Sequence, residues 1–131
     1  MLNSKAAIVT GGANGIGRAI CLALAEAGAD VVVVDRVASE GQNTRDMVRA
    51  LGRQSEYVET DVSSESSVIS MVESAVRRFS HIDILVNDAG IVTKGKFTEI
   101  TEAEWDRTLD VNLKGTFLCC REVVKHMLSE G

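Results

Sequence analysis

Proline is absent from the 131 residues, and tyrosine and tryptophan occur once each. No functional reading attaches to the missing proline. No apolar run approaches the ~20 residues that a membrane-spanning helix needs, so no membrane partner is expected. Basic residues are not in excess either: 14 Lys and Arg face 19 Asp and Glu, a formal net charge of −5. That balance argues against a nucleic-acid surface, which calls for a basic patch. Cys21, Cys119 and Cys120 are odd in number and lack framework spacing, which fits reduced thiols in the cytoplasm rather than disulfides. Cys119 and Cys120 are adjacent and read as packing residues. His81 and His126 have no metal-ligand spacing and read as surface residues, so no metal is expected. Trp105 and Phe97 read as packing residues. Met1 to Lys5 leads straight into an apolar stretch without a signal-peptide pattern. Against these absences stand 45% apolar and 25% charged residues, the composition of a globular protein. The length suffices for one domain, 1–131, with its own core.

The chain is organised around its first 17 residues. Ala6 to Val9 is a short apolar run, as in a buried strand. Thr10 to Gly17 is glycine-rich. From Ile16 the apolar residues take helical spacing: Ile16, Ala19, Ile20, Ala23, Leu24 and Ala27. Strand, glycine turn and helix in succession form a phosphate cradle. Gly11 permits a tight turn, and Gly15 and Gly17 leave room for a pyrophosphate and for the helix to press on the strand. The first helical turn offers unpaired N–H groups and the positive end of the helix dipole to an anion.

Downstream, the pattern predicts alternating strands and helices. Gly28 closes the first helix, and Val31 to Val34 is an apolar run suited to a strand covered on both faces. A mostly polar helix over about 39–51 follows, with Met47, Val48 and Leu51 as its buried stripe. A third strand spans about 55–59. Ser63 or Ser64 caps a helix carrying Val68, Ile69, Val72, Ala75, Val76 and Phe79. The fourth strand is expected over about 82–86 and a loop over 91–100. Thr101 with Glu104 reads as a capping box for a last helix running to about Leu128. Its core stripe is expected at Leu113, Phe117, Cys120, Val124 and Met127. Helical connections between all strands call for a parallel sheet with right-handed crossovers, an α/β fold.

Thr10-Gly11-x-x-x-Gly15-Ile16-Gly17 resembles the T-G-x-x-x-G-x-G pattern of the short-chain dehydrogenase/reductase family. Three further segments resemble that family in order: Asp61-Val62, Asn87-Asp88-Ala89-Gly90 and Val111-Asn112-Leu113-x-Gly115-x-Phe117. The resemblance implies a Rossmann-type doubly wound sheet in the strand order 3-2-1-4, with ligands outside the carboxyl ends of the strands at the reversal of winding. It implies a dinucleotide cofactor held by the turn of Gly11, Asn14, Gly15, Ile16 and Gly17, with Asn14 where NADP-preferring relatives often place Lys or Arg, and by Asp35 at the adenosine ribose. Asp61 and Val62 would meet the adenine. Asn87, Ala89 and Gly90 would stand at the nicotinamide ribose, with Asn87 tying strand ends together through its amide. Asp35 repels a 2′-phosphate: two unit charges ~4 Å apart at a dielectric of ~20 interact by roughly 4 kcal/mol before solvent discounting. NAD is therefore expected over NADP. Arg36 works the other way, since it can reach a phosphate. Asn112 resembles the helix asparagine of the family's catalytic set, which holds a helix distortion and a relay water. Asp88 departs from the family's usual Asn.

The resemblance implies hydride transfer between the nicotinamide and a secondary alcohol or ketone. The family's chemistry also needs a serine and a Tyr-x-x-x-Lys pair. Tyr57 is the sole tyrosine, the residue four on is Asp61, and it is expected in the third strand away from the site. The chain is thus read as the amino-terminal, cofactor-binding half, stopping before a fifth strand. The alternative is a non-catalytic module of the same fold that binds nucleotide or a partner subunit. A homo-oligomer through the last helix is expected.

Overall fold

The computed structural model describes residues 1–130; Gly131, where the sequence reading places the approach to a fifth strand, lies outside them. Strands β1 (Ala6–Thr10), β2 (Asp30–Asp35), β3 (Ser55–Glu59) and β4 (Ile84–Asn87) form one parallel sheet in the order β3-β2-β1-β4. Between them run α1 (Gly15–Glu26), α2 (Ala38–Ala50) and α3 (Glu65–Phe79). A single 3-10 turn at Phe97–Glu99 follows, then α4 (Glu102–Leu109), a π-helical turn (Asp110–Lys114) and α5 (Gly115–Glu130). The Rossmann-type α/β architecture and its strand order are thus as the sequence indicates.

The continuous apolar strands make sense once both faces of the sheet are covered. Alternate residues of β1 and β2 serve opposite layers. Val9, Val31 and Val33 pack with Cys21, Ala25 and Val48 of α1 and α2. Ile8, Val32 and Val34 pack with Val68, Met71, Leu118 and Val123 of α3 and α5. Helix boundaries follow local chemistry. Ser64, the second of the two expected caps, accepts a hydrogen bond from the Ser67 N–H, and Thr101 and Glu104 form the reciprocal capping box.

Two helices present an inner face other than the one their apolar spacing predicts, and both turn inward on a glycine. In α2 the buried residues are Gly41, Thr44 and Val48, whereas Met47 and Leu51 are 41% and 44% exposed. A Cβ on Gly41 would lie 2.1 Å from the Tyr57 ring, so the helix approaches where it has no side chain. In α5 the buried set is Gly115, Leu118, Cys119 and Val123. The expected stripe is rotated outward: Leu113, Phe117 and Val124 are 67%, 55% and 46% exposed. Cys120 is half-buried and Met127 only partly buried. The helix carries two apolar stripes, and the one containing Gly115 goes inside, because a Cβ there would meet Val62 Cγ2 at 2.7 Å. The helix is also interrupted by the π-turn, at the place where the resemblance implies a distortion held by Asn112. Trp105 and Phe97, expected to pack, are 59% and 88% exposed. His126, expected at the surface, is half-buried, with its Nε2 buried and without a hydrogen-bond partner among the described residues.

Among the described residues strand β4 pairs with β1 alone, and all its residues are half-buried, whereas β1 is buried throughout. Among the described residues its other edge is unpaired, and such an edge invites another chain. The exposed apolar stripe of α5 adds to this. Burying one large apolar side chain is worth roughly 1.5–3 kcal/mol, against a domain stability of about 5–15 kcal/mol. The isolated 131-residue chain is expected to associate in solution, which light scattering detects; a stable monomer would contradict the edge argument.

Candidate functional site

At the carboxyl ends of all four strands lies a cleft of about 440 Å³. Gly11, Asn14, Gly15 and Ile16 line it after β1, Asp35 after β2, Asp61 and Val62 after β3, and Ala89 and Gly90 after β4. It opens where the winding reverses between β1 and β4, the position at which open α/β sheets bind ligands. Val34, Arg36, Thr60, Asp88, Ile91 and Val111 also line it. Of the residues singled out in the sequence, Gly17, Asn87 and Asn112 do not line it.

The glycine turn is shaped by close contacts. Gly11 and Gly15 take φ of +68° and +55°, a region that favours glycine. A Cβ on Gly15 would meet nothing within 4 Å, so the space in front of it is open to a ligand. Gly17 differs: a Cβ there would lie 1.9 Å from the Gly11 carbonyl oxygen, so the turn itself requires this glycine. Asn14 is the N-cap of α1, yet no side chain caps the helix and its first turn holds no acidic residue. The N–H groups and dipole of that turn are thus directed at the cleft.

Ala13 is held at both ends of its residue. Its N–H donates to Asp35 Oδ2 at 3.0 Å. Its carbonyl accepts from Arg18 at 2.7 Å and from the Thr44 hydroxyl at 3.1 Å. Arg18 also bonds Thr44 Oγ1 and pairs with Glu40 at 3.0 Å, fastening the turn to α2. Asp35 Oδ1 accepts from the Arg36 N–H. Each carboxylate oxygen retains a lone pair for a further donor. Beneath the turn, burial pushes the Cys21 thiol up to about 12, which leaves it inert.

On the other wall, Asp61 Oδ1 accepts from both the hydroxyl and the N–H of Ser63, at 2.6 and 3.0 Å. The Ser63 hydroxyl bond is the main reason that the Asp61 carboxyl is held below the usual carboxylate range. Val62 is 6% exposed and packs on Gly115. The strand-end tie expected of Asn87 is made elsewhere: its amide donates to Cys120 Sγ at 3.3 Å. Thr10, left without a role in the sequence reading, makes that tie instead. Its buried hydroxyl accepts from the Asp88 and Ala89 N–H groups, both at 3.1 Å, and donates to the Val86 carbonyl at 3.5 Å. The available signal was the threonine ending a strand directly before Gly11. Arg18 and Thr44 were missed because their contact depends on how α1 meets α2.

Asn112 lies in the π-turn and clamps the Ile91 backbone. Its Oδ1 accepts from the Ile91 N–H at 2.8 Å and its Nδ2 donates to the Ile91 carbonyl at 2.9 Å. Its own carbonyl accepts from the Thr116 hydroxyl. Tyr57 donates to the Asp35 carbonyl at 2.8 Å and covers Gly41, a structural use outside the cleft. Its phenol is pushed up to about 12, chiefly by desolvation. Among the described residues no group of three or more His, Cys, Asp or Glu side chains is arranged to hold a metal. No helix among them is long and apolar enough to cross a membrane.

An α/β sheet with this strand order, a glycine turn and a cleft at the reversal of winding defines a Rossmann-type nucleotide-binding architecture. The profile of the short chain dehydrogenase family matches residues 5–131, and the chain belongs to that family. It is 39% identical over 127 residues to (2S)-[(R)-hydroxy(phenyl)methyl]succinyl-CoA dehydrogenase subunit BbsD of Thauera aromatica, covering 97% of this chain and 51% of that protein. It is 35% identical over 130 residues to 2-dehydro-3-deoxy-D-gluconate 5-dehydrogenase of Escherichia coli, covering 99% and 51%. The crystal structure of a hydroxysteroid dehydrogenase from Escherichia coli superposes with a TM-score of 0.93 at 32% identity, covering 99% of this chain and 55% of that one. The chain spans about half the length of the curated relatives that it matches.

Replacing Thr10 by valine keeps its shape but removes the partner of two N–H groups. A loss of roughly 1–3 kcal/mol is expected, the cost of leaving a buried donor unsatisfied. Denaturant unfolding measures it, and unchanged stability would contradict the tie.

Proposed function

We propose that this protein is an NAD(H)-preferring oxidoreductase that acts on a secondary alcohol or ketone, and that these residues supply its cofactor-binding part. The observation that carries the reading is the position of Asp35. Its carboxylate closes the cleft at the end of β2 and is bonded to the glycine turn through the Ala13 N–H. There it accepts the adenosine ribose hydroxyls and repels a 2′-phosphate. The open space before Gly15 and the uncapped first turn of α1 fit a pyrophosphate, received by Gly11, Asn14, Gly15 and Ile16, with Gly17 shaping the turn. Asp61 keeps Oδ2 without a partner among the described residues, suited to an adenine amino group, and Val62 supplies an apolar surface beside it. Ala89 and Gly90 bring backbone to the nicotinamide side. When bound, the dinucleotide supplies hydride transfer, and the chain's own residues position and exclude.

Asn112 is proposed to act through position. Its clamp on Ile91 fixes the π-turn against the loop after β4, the wall that faces the nicotinamide side. The exposed stripe of Leu113, Phe117, Val124 and Leu128 is proposed as the contact between copies in a homo-oligomer, and the cytoplasm as the compartment. A second reading has its own support. Tyr57, the one tyrosine of these residues, is committed to the Asp35 carbonyl outside the cleft, so that the described residues by themselves form a nucleotide-binding or subunit-interaction module.

Two measurements test the proposed function. In calorimetry NAD is expected to bind more tightly than NADP, and Asp35→Ala to narrow the gap by weakening NAD and tolerating the phosphate. Equal or tighter NADP binding by the unmutated protein contradicts the preference and implicates Arg36. In a protein that also carries the tyrosine–lysine pair, Asn112→Ala is expected to lower kcat at least tenfold with NAD affinity nearly unchanged, an effect of at least about 1.4 kcal/mol. Normal turnover would make Asn112 a helix residue only.

A further inference from the structure

We propose that Asp88 is a charge-selecting residue of the cleft: it weakens the binding of pyrophosphate nucleotides and biases the site toward the oxidised dinucleotide. The inference rests on the reading of the cleft as a dinucleotide site. Asp88 follows β4 and lines the cleft. Its backbone is fixed from both sides. The N–H donates to Thr10 Oγ1, and the carbonyl lies where a Cβ on Gly11 would come within 2.9 Å. The side chain reaches back over α1, so that a Cβ on Gly17 would meet Asp88 Oδ2 at 3.0 Å. A carboxylate therefore stands against the first turn of α1, which has no acidic residue of its own.

The other two carboxylates of the cleft are engaged. Asp35 accepts from Ala13 and Arg36, and Asp61 from Ser63. The Asp88 side chain has no hydrogen bond or ion pair among the described residues. Among the described residues Arg36 is the one cationic side chain of the lining, so the cleft carries an excess of negative charge. A negative charge at a helix N-terminus is favourable in the ligand-free protein and competes with any anion brought there. Without Asp88, the helix dipole would act on a pyrophosphate alone. The two redox forms of a nicotinamide dinucleotide differ by one positive charge on the ring. An added carboxylate therefore penalises the reduced form more than the oxidised one.

The test is calorimetric binding to the protein and to Asp88→Asn, with thermal melting to show that both are folded. Asparagine keeps the shape and the backbone bond to Thr10. ADP and NADH are expected to bind about tenfold more tightly to Asp88→Asn, NAD by a smaller factor, and adenosine equally to both. The ADP gain is expected to shrink between 0.05 and 0.5 M salt, as screening shortens the reach of the charge. Equal ADP affinity for the two proteins overturns the inference and leaves the cleft reading standing. A gain for adenosine as large as that for ADP overturns it too, because the effect would then not follow charge. Failure of both proteins to bind ADP defeats the cleft reading, and this inference with it.

Discussion

A Cβ at Gly17 would stand 1.9 Å from the carbonyl oxygen of Gly11, and one at Gly11 would stand 2.8 Å from the Ala89 nitrogen. These contacts press three segments together: the end of β1, the first turn of α1 and the turn after β4. Every other part of the cleft is referred to that junction. It sets where α1 begins, and so where its free N–H groups point. It also places Asp88 and Ala89 against the glycine turn, which closes the wall on the β4 side. Thr10 fixes the same junction by hydrogen bonds, reaching across from β1 to the turn after β4.

The polar groups around the cleft divide into those used by the fold and those left for a ligand. Arg18, Thr44 and Glu40 are consumed in fastening the Ala13 carbonyl to α2. Asp35 is shared: it holds the Ala13 N–H and still borders the cleft. A carboxylate positioned by a backbone bond is better suited to discriminate between ribose substituents than one free to rotate. On the proposed reading, cofactor choice and turn geometry thus depend on the same side chain. Asn112 shows a similar economy. A π-turn places its amide against the Ile91 peptide, and both of its polar atoms are engaged there.

The alternation of strand and helix, the parallel sheet and its order were legible in the sequence because each rests on local pattern. Val31 to Val34, four β-branched residues in a row, suits a strand covered on both faces. The glycine spacing and the downstream segments then point to one family. What was not legible is which face of a helix goes inward when two apolar stripes compete. In α5 the decision falls to Gly115, whose missing side chain lets the helix close on Val62, a contact between segments far apart in sequence. Gly41 makes the same decision for α2. Of the site, the glycine turn, Asp35 and the residues after β3 and β4 could be read from motif and spacing. The ties made by Thr10, Arg18 and Thr44 could not, since they appear only once β1, β4, α1 and α2 are assembled. The strand-end tie that the resemblance implies for Asn87 is made by Thr10.

The account rests on one claim: the cleft at the reversal of winding is where a nucleotide sits. Titration of the isotope-labelled chain with ADP, followed amide by amide by NMR, tests that claim without requiring turnover. The account predicts that the largest shifts fall on Gly11 to Gly17, Asp35 and Arg36, and Thr60 to Val62. Shifts confined to another surface, such as the hollow between α3 and α5 beside Val72, Val76 and His126, or no shifts at millimolar ADP, would contradict it.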